Sequence, residues 1–141
     1  MKIGRVRQDV AWLMPELAGR RVEALVGVVH RDDADVLPIV VNMQLDDGLW
    51  HRFFLDAGLA FWEQWPEFAD EEPEGDDVRY VNYGQQHSLV GETLRSVEAR
   101  PSKPADLAEL TLRFDSGRVL RLSFCDAADM GSPTCVHLGA D

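Results

Sequence analysis

The residues of this chain that could do chemistry are an acidic run and the aromatic side chains around its start. The run, Glu67 to Asp77, contains seven acidic residues in eleven positions. Carboxylates can bind a cation, but calcium loops need ligands at fixed alternate positions around a central glycine, and the run has no such period. A concentrated negative charge instead favours a basic protein as partner, because complementary fields speed encounter.

Aromatic side chains beside charges often mark protein interfaces, so the predicted partner-binding residues include both kinds. They are Trp62, Trp65, Phe68, Asp70, Glu71, Glu72, Glu74, Asp76 and Asp77. Two simpler interpretations stay open. The acids could form only a solvated loop, as most charge runs do, and the tryptophans could close one end of a sheet.

The histidines form no metal-ligating or catalytic pattern. None of His30, His51, His87 and His137 has the His-x-x-His or His-Glu-x-x-His neighbours of zinc sites. His51 is expected to project toward the core face and to be a satisfied core residue. Pairing of His51 with Asp56 or Asp126 as acid and base is the less favoured alternative.

The cysteines and the remaining motifs also indicate no catalysis. Cys125 and Cys135 lack the CxxC spacing and are interpreted as reduced, small core hydrophobes, with a structural disulfide as the less favoured alternative if strands bring them together. No nucleophile elbow, phosphate loop or dinucleotide fingerprint is present in the sequence. The sequence therefore predicts a protein that is not an enzyme and uses no cofactor and no metal.

Length and charge limit the remaining classes of protein. At 141 residues with 45% hydrophobic content, the chain is expected to fold as one domain, 1–141. A net charge of -11 argues against direct binding of nucleic acid or of anionic membranes. No apolar run approaches a transmembrane length and no secretory signal is recognisable, so a cytoplasmic location is expected.

Two motifs recur in order along the chain and predict an internal duplication. Leu17-Ala18-Gly19 matches Leu89-Val90-Gly91 at an offset of 72, and Asp46-Asp47-Gly48 matches Asp115-Ser116-Gly117 at an offset of 69. Each Asp-x-Gly is a hairpin-turn signal between two strand-like runs. The first repeat would span about 17–83, with an acidic insert at 56–77, and the second about 89–139.

The pattern of elements predicts an α+β fold. Val6, Val10, Leu13 and Leu17 have helical spacing, and Gly58 to Pro66 suggests a second short helix with Phe61 and Trp65 on one side. Alternating apolar residues predict three strands in each repeat, and two further runs are possible fourth strands. The predicted strands span 22–29, 39–45, 50–55, 94–99, 110–114 and 120–124, and the possible fourth strands span 78–83 and 134–138. We expect one bent, mostly antiparallel sheet or a partly open barrel with the helices at its edge.

The first hairpin is apolar on both of its faces. Phe53 and Leu55 would face the core, whereas Trp50 and Phe54 would point to the opposite side. That second face needs a cover, which could be the helix, the insert or another molecule.

The chain resembles the small acidic α+β immunity proteins with which bacteria block their own toxins. The resemblance lies in size, charge and a hairpin-rich layout, with Leu-x-Gly before a strand and Asp-x-Gly at the hairpin turn. It implies a cytoplasmic protein that binds a cognate toxin, and it carries over no functional residue.

The sequence therefore predicts a non-enzymatic protein-binding protein, most concretely an immunity protein. One alternative is an effector chaperone, which would form a homodimer and hold an extended partner segment. The other is a small enzyme or ligand-binding barrel with a pocket near Trp50, His51 and Tyr80.

Overall fold

Most of the described residues lie in strands. The computed structural model describes residues 5–30, 38–56, 58–66, 78–86, 88–102, 107–124 and 134–140. The strands are β1 (Arg5–Asp9), β2 (Trp12–Leu13), β3 (Val22–His30), β4 (Pro38–Leu45), β5 (Trp50–Asp56), β6 (Leu59–Trp65), β7 (Val78–Asn82), β8 (Leu94–Pro101), β9 (Ala108–Phe114), β10 (Arg118–Phe124) and β11 (Thr134–Ala140). A 3-10 turn, Pro15–Leu17, and one short helical turn, α1 (Tyr83–Gln86), complete the described elements.

The strands form two antiparallel sheets that pack against each other. The six-stranded sheet has the order β1-β6-β5-β4-β3-β7, and the five-stranded sheet has the order β11-β10-β9-β8-β2. Each sheet contains four strands that are consecutive in the chain, β3 to β6 and β8 to β11. The inner faces of both sheets contribute to one apolar core, whose fully buried members include Phe53, Trp62, Leu112 and Phe114.

The predicted α+β fold is wrong, because the described residues form two sheets and contain no helix longer than α1. The expected single bent sheet or partly open barrel is also wrong, since the sheets are separate and do not close. The strands of both hairpins are nevertheless confirmed at almost the predicted bounds.

The N-terminal segment forms edge strands in place of the predicted helix. β1 pairs with β6 of the six-stranded sheet, and β2 pairs with β8 of the five-stranded sheet. Pro15 lacks a backbone N–H, which excludes it from a helix interior and suits it to the start of the 3-10 turn. Two open sheet edges offer this segment hydrogen-bond partners, whereas a short isolated helix is only marginally stable.

The predicted helix of the insert is wrong as well, because Leu59–Trp65 is strand β6. β6 pairs with β5 along its whole length and buries Ala60 and Trp62 on the inner face. Phe61 and Trp65 do lie on one side, as expected. Residues four apart share a face in a strand as well as in a helix, so their spacing did not distinguish the two structures.

The repeated motifs occupy equivalent positions in the two halves. The Gly19 N–H donates to the Leu94 carbonyl at 2.8 Å, and the Gly91 N–H donates to the Val22 carbonyl at 2.8 Å. The four residues keep the offset of 72, so the two bonds exchange under an approximate twofold rotation. The first pairings of β3 with β4 and of β8 with β9 also share a bulge, which begins at Val22 and Leu94.

The expected equivalence of 78–83 with 134–138 is wrong. β11 follows β10 at the edge of its sheet, and the strand in that position of the six-stranded sheet is β6. β7 instead pairs with β3. The true counterpart of β11 is β6, and it was missed because the composition of 58–66 predicts a helix.

Other expectations fall partly outside the described residues. Phe68, Asp70, Glu71, Glu72, Glu74, Asp76, Asp77, His87, Cys125 and Asp126 lie outside the described ranges. Cys135 is in β11, where it pairs with Ser123 of β10. Within the described parts of the chain, no helix has the length and apolar character needed to span a membrane.

Candidate functional site

The outer face of the β5–β6 hairpin carries an unusual set of side chains for a sheet surface. Alternation along β5 directs His51, Phe53 and Leu55 into the core, which leaves Trp50, Arg52 and Phe54 on the outside. Along β6, the outward side chains pair directly across the hairpin with these three. The resulting pairs are Trp50 with Trp65, Arg52 with Glu63, and Phe54 with Phe61.

We call these six residues the aromatic ladder. All six are partly exposed. The Phe54 and Phe61 rings stack at 4.7 Å between centroids with 5° between their planes. The Trp65 indole N–H donates to the Glu63 carboxylate at 3.0 Å, which fixes the ring. The ladder is therefore a pre-ordered, half-exposed aromatic surface and is not a set of loose side chains.

Arg52 lies at the centre of the aromatic ladder. Its guanidinium carbon is 5.4 Å from the centroid of the Phe54 ring, a cation–π distance. Its Nη1 is 4.0 Å from a Glu63 oxygen, which is an ion pair but too long for a hydrogen bond. Among the described residues, the buried Nε of Arg52 has no hydrogen-bond partner.

Asn42 of β4 is the direct cross-strand neighbour of Arg52 on the same face. It is fully buried, and neither its amide nitrogen nor its amide oxygen has a hydrogen-bond partner within the described part of the chain. Beside it, Val28 and Val40 form a small apolar cluster with Phe54. Leaving a buried amide unsatisfied costs about 1–3 kcal/mol of folding free energy, so Asn42 destabilises the fold at this position.

The outer face of the five-stranded sheet is different in character. There Glu98 is buried and pairs with two arginines, with Arg113 through a hydrogen bond and with Arg100 at 2.9 Å. Arg121 lies 3.9 Å from Glu109 on the same face. This face therefore carries charges that are paired within the chain, as on the solvent-facing side of an antiparallel sheet.

The two predicted tryptophans lie on opposite faces of β6. Trp65 belongs to the aromatic ladder, whereas Trp62 is fully buried in the core between the sheets. The Trp62 indole N–H donates to His51 Nδ1 at 3.1 Å, and the two rings stack at 5.9 Å. Trp62 thus packs on the core side of the hairpin and supports it from inside.

His51 is fully buried, as the sequence predicts for a core histidine. Its Nε2 is 3.6 Å from an Asp47 oxygen in the hairpin turn, so its nearest described acid is Asp47 and not Asp56. Trp50 and His51 are consecutive strand residues and face opposite sides of the sheet. They therefore do not line one pocket together.

Sequence reasoning found part of this surface. It placed Trp50 and Phe54 on an outer apolar face, and it singled out Trp65. It did not place Arg52, Phe61 and Glu63 together, because their proximity depends on β6 being a strand, and it did not single out Asn42, which pairs with Arg52 across β4 and β5. The alternation of Ala60, Trp62 and Gln64 with the outward residues of β6 was the available signal.

The comparisons with known proteins add no family. Neither family models, nor curated proteins, nor solved structures gave a match to this chain. The arrangement of side chains in the structure is consequently the basis of any functional assignment.

Proposed function

We propose that this chain is a non-enzymatic protein-binding protein of the cytoplasm, and most concretely an immunity protein that binds and blocks a basic toxin. The observation that carries the proposal is the aromatic ladder. Tryptophan and arginine are the residues most enriched at interface hot spots, and here they stand in adjacent, ordered pairs.

The half-exposed state of the ladder supports a binding function over a purely structural one. An aromatic side chain that is already held by its neighbours loses little conformational entropy when a partner covers it. Stacking of Phe54 on Phe61 and the bond from Trp65 to Glu63 provide this order. A partner would then gain apolar burial at the centre and meet charges at the rim.

Charge supports a basic partner. The net charge of -11 includes seven acids in 67–77, the segment that directly follows β6 in the sequence. In the proposed mechanism, these acids speed encounter with a basic toxin, and the aromatic ladder supplies the short-range contacts. Binding blocks the toxin by occlusion, so the chain itself needs no catalytic group.

The test is affinity capture from lysate of the source cell with the tagged full-length protein, at low and at moderate salt. We expect one basic protein in stoichiometric amount, which is lost as the salt concentration rises. The double variant Trp50→Ala/Trp65→Ala should not retain it. The matched control is Leu13→Ala, which removes an exposed apolar side chain from the other sheet.

Toxicity of the captured protein separates an immunity protein from other binding proteins. Expression of the captured protein alone should stop growth, and coexpression with the wild-type chain should restore it. Retention of the same protein by the double variant would show that the ladder is not the binding surface. Capture of no basic protein would remove the basis for the toxin assignment.

A further inference from the structure

The five-stranded sheet has one strand fewer than the six-stranded sheet, and the difference lies at the β11 edge. Four strands that are consecutive in the chain form the middle of each sheet, β3 to β6 and β8 to β11. β7 extends the first sheet beside β3, and β2 occupies the equivalent position beside β8. β1 then pairs with β6, whereas no strand of the described residues pairs with the outer edge of β11.

The register of the strands shows that β6 and β11 are equivalent. Arg52 of β5 pairs with Glu63 of β6. At the repeat offset of 69, the equivalent of Arg52 is Arg121 of β10, which pairs with His137 of β11. β1 pairs with residues 60–64 of β6, and the equivalent positions of β11 are 134–138. The fold therefore already accommodates a strand in the position that is open beside β11.

The β11 edge also lacks the features by which edge strands avoid pairing with other molecules. Such features include charged side chains, proline and a very short strand. β1 has three charged residues in five, β7 contains Arg79, and β2 is only two residues long. β11 has seven residues with no lysine, arginine, aspartate, glutamate or proline, and its register with β10 is unbroken. In the part of the chain that the structure describes, β11 is thus the one long, uncharged sheet edge.

Local charge determines which kind of molecule can approach this edge. The segments 108–124 and 134–140, which contain β9 to β11, carry three arginines and two acidic residues, a net charge of +1. A second copy of the chain can therefore approach here despite the net charge of -11 on each copy, because salt screens the more distant charges. A basic protein gains no electrostatic attraction at this edge.

We propose that β11 pairs antiparallel with β11 of a second copy of this chain, so that the two five-stranded sheets join into one continuous sheet. The interface consists of the main-chain N–H and C=O groups that alternate residues of β11 direct away from β10. His137 is the midpoint of β11, so a twofold register centred on it pairs all seven residues of the strand. The exposed side chain of His137 then lies opposite the same side chain of the second copy.

The dimer is separate from the proposed toxin-binding surface. The aromatic ladder belongs to the six-stranded sheet, whereas β11 belongs to the five-stranded sheet. Pairing at β11 therefore leaves both ladders of the dimer available, and each copy can bind a toxin molecule. This inference goes beyond the proposed function and does not depend on it.

Sedimentation velocity of the full-length protein over a range of concentrations, with a reducing agent present, measures the dimer. We expect a monomer–dimer equilibrium in the wild type. His137→Lys and His137→Glu each place like charges directly opposite each other, so each should raise the dissociation constant of the dimer about fivefold. An equimolar mixture of the two variants should form a heterodimer at least as tight as the wild-type dimer, because the opposed charges then attract.

The matched control is Leu13→Lys. Leu13 is 61% exposed and lies in β2, at the opposite edge of the same sheet. The added charge is the same, but this variant should dimerise like the wild type. The double variant Trp50→Ala/Trp65→Ala should also dimerise like the wild type, since the ladder lies on the other sheet. Unfolding of each variant in urea, below the dissociation constant of the dimer, verifies that the fold is intact.

A protein that is monomeric at every concentration would overturn the proposal. A dimer that neither His137 variant weakens, or a mixture that is no tighter than the single variants, would show that β11 does not face β11. Loss of the dimer in Leu13→Lys or in the double tryptophan variant would assign the contact to another surface.

A strand from the toxin is the competing occupant of this edge. A monomeric wild type, together with weaker binding of the captured toxin to His137→Lys, would assign the β11 edge to the toxin and reject the second copy. Capture of a basic protein through the aromatic ladder is tested with different variants, so the dimer and the proposed function can fail separately.

Discussion

Arg21 and Thr93 form a lone antiparallel bridge on the approximate twofold axis that relates the two halves of the chain. Their numbers differ by 72, the offset of the repeated Leu-x-Gly motif, so each residue is the equivalent of the other. The relationship is made by the backbone. The Arg21 side chain is exposed and bonds to Glu23 at 3.0 Å, and this hydrogen bond raises the pKa of the Arg21 guanidinium.

We expect the two glycines next to this bridge to contribute equally to the stability of the fold. Gly19 and Gly91 have φ values of 86° and 92°, and each donates a 2.8 Å hydrogen bond to the opposite half. No atom lies within 4 Å of a Cβ added at either one, so alanine introduces backbone strain alone. We expect Gly19→Ala and Gly91→Ala each to lower the free energy of unfolding by about 1–2 kcal/mol, measured in urea.

Gly139→Ala is the control, because that glycine lies in β11 without a positive φ, and its added Cβ would meet the exposed His137 side chain, with Nε2 at 3.3 Å, which can move aside. Its effect should be smaller than that of either bridging glycine. A large difference between Gly19→Ala and Gly91→Ala would show that the two connections are not energetically equivalent, despite their matching geometry.

The two tryptophans of β6 should separate stability from binding. Trp62 is fully buried, so Trp62→Ala should cost about 3–5 kcal/mol in the free energy of unfolding. Trp65 is partly exposed, and Trp65→Ala should cost about 1 kcal/mol or less. With the captured partner, Trp65→Ala should weaken binding by a factor of about thirty, as expected for a hot spot. Unfolding in urea and calorimetric titration measure the two effects, and equal losses of stability would contradict the opposite faces assigned to these residues.

His51 should stabilise the core through its bond with Trp62. His51→Phe keeps an aromatic ring but removes the acceptor of the Trp62 N–H, which leaves a buried donor unsatisfied. We expect a loss of about 1–3 kcal/mol in the free energy of unfolding. In the wild type, the Trp62 indole proton should exchange slowly with D2O in NMR spectra, and in the variant it should exchange faster. His137→Phe, at an exposed position in β11, should change neither quantity.

The sequence predicts those parts of the fold whose signals lie within a few neighbouring residues. The hairpins around Asp46-Asp47-Gly48 and Asp115-Ser116-Gly117 were predictable, because turn glycines and period-two alternation are local. The assignment of 5–9 and 12–13 to strands was not, because each strand finds its partner more than 50 residues away in the chain. Such edge strands cannot be recognised until the sheets that offer them an open edge are known.

The candidate site was only partly predictable for a related reason. Asn42 is visible in the sequence as a polar residue in a Val-rich strand. Its unmet amide depends on having Val26 on one side and Arg52 on the other, which only the register of three strands decides. The equivalent position in the other half, Thr111, has a similar sequence setting but acquires Glu98 as its neighbour.

The acidic segment should control the rate of association more than the stability of the complex. Glu71→Gln, Glu72→Gln, Asp76→Asn and Asp77→Asn together remove four of the negative charges that follow β6. With the captured basic partner, stopped-flow mixing should show slower association and a weaker dependence on salt, while the dissociation rate changes little. A variant that neutralises Glu16 and Glu109, away from the aromatic ladder, should associate nearly as fast as the wild type. Unchanged association in the fourfold variant would remove the acidic segment from the binding mechanism and leave the aromatic ladder to act alone.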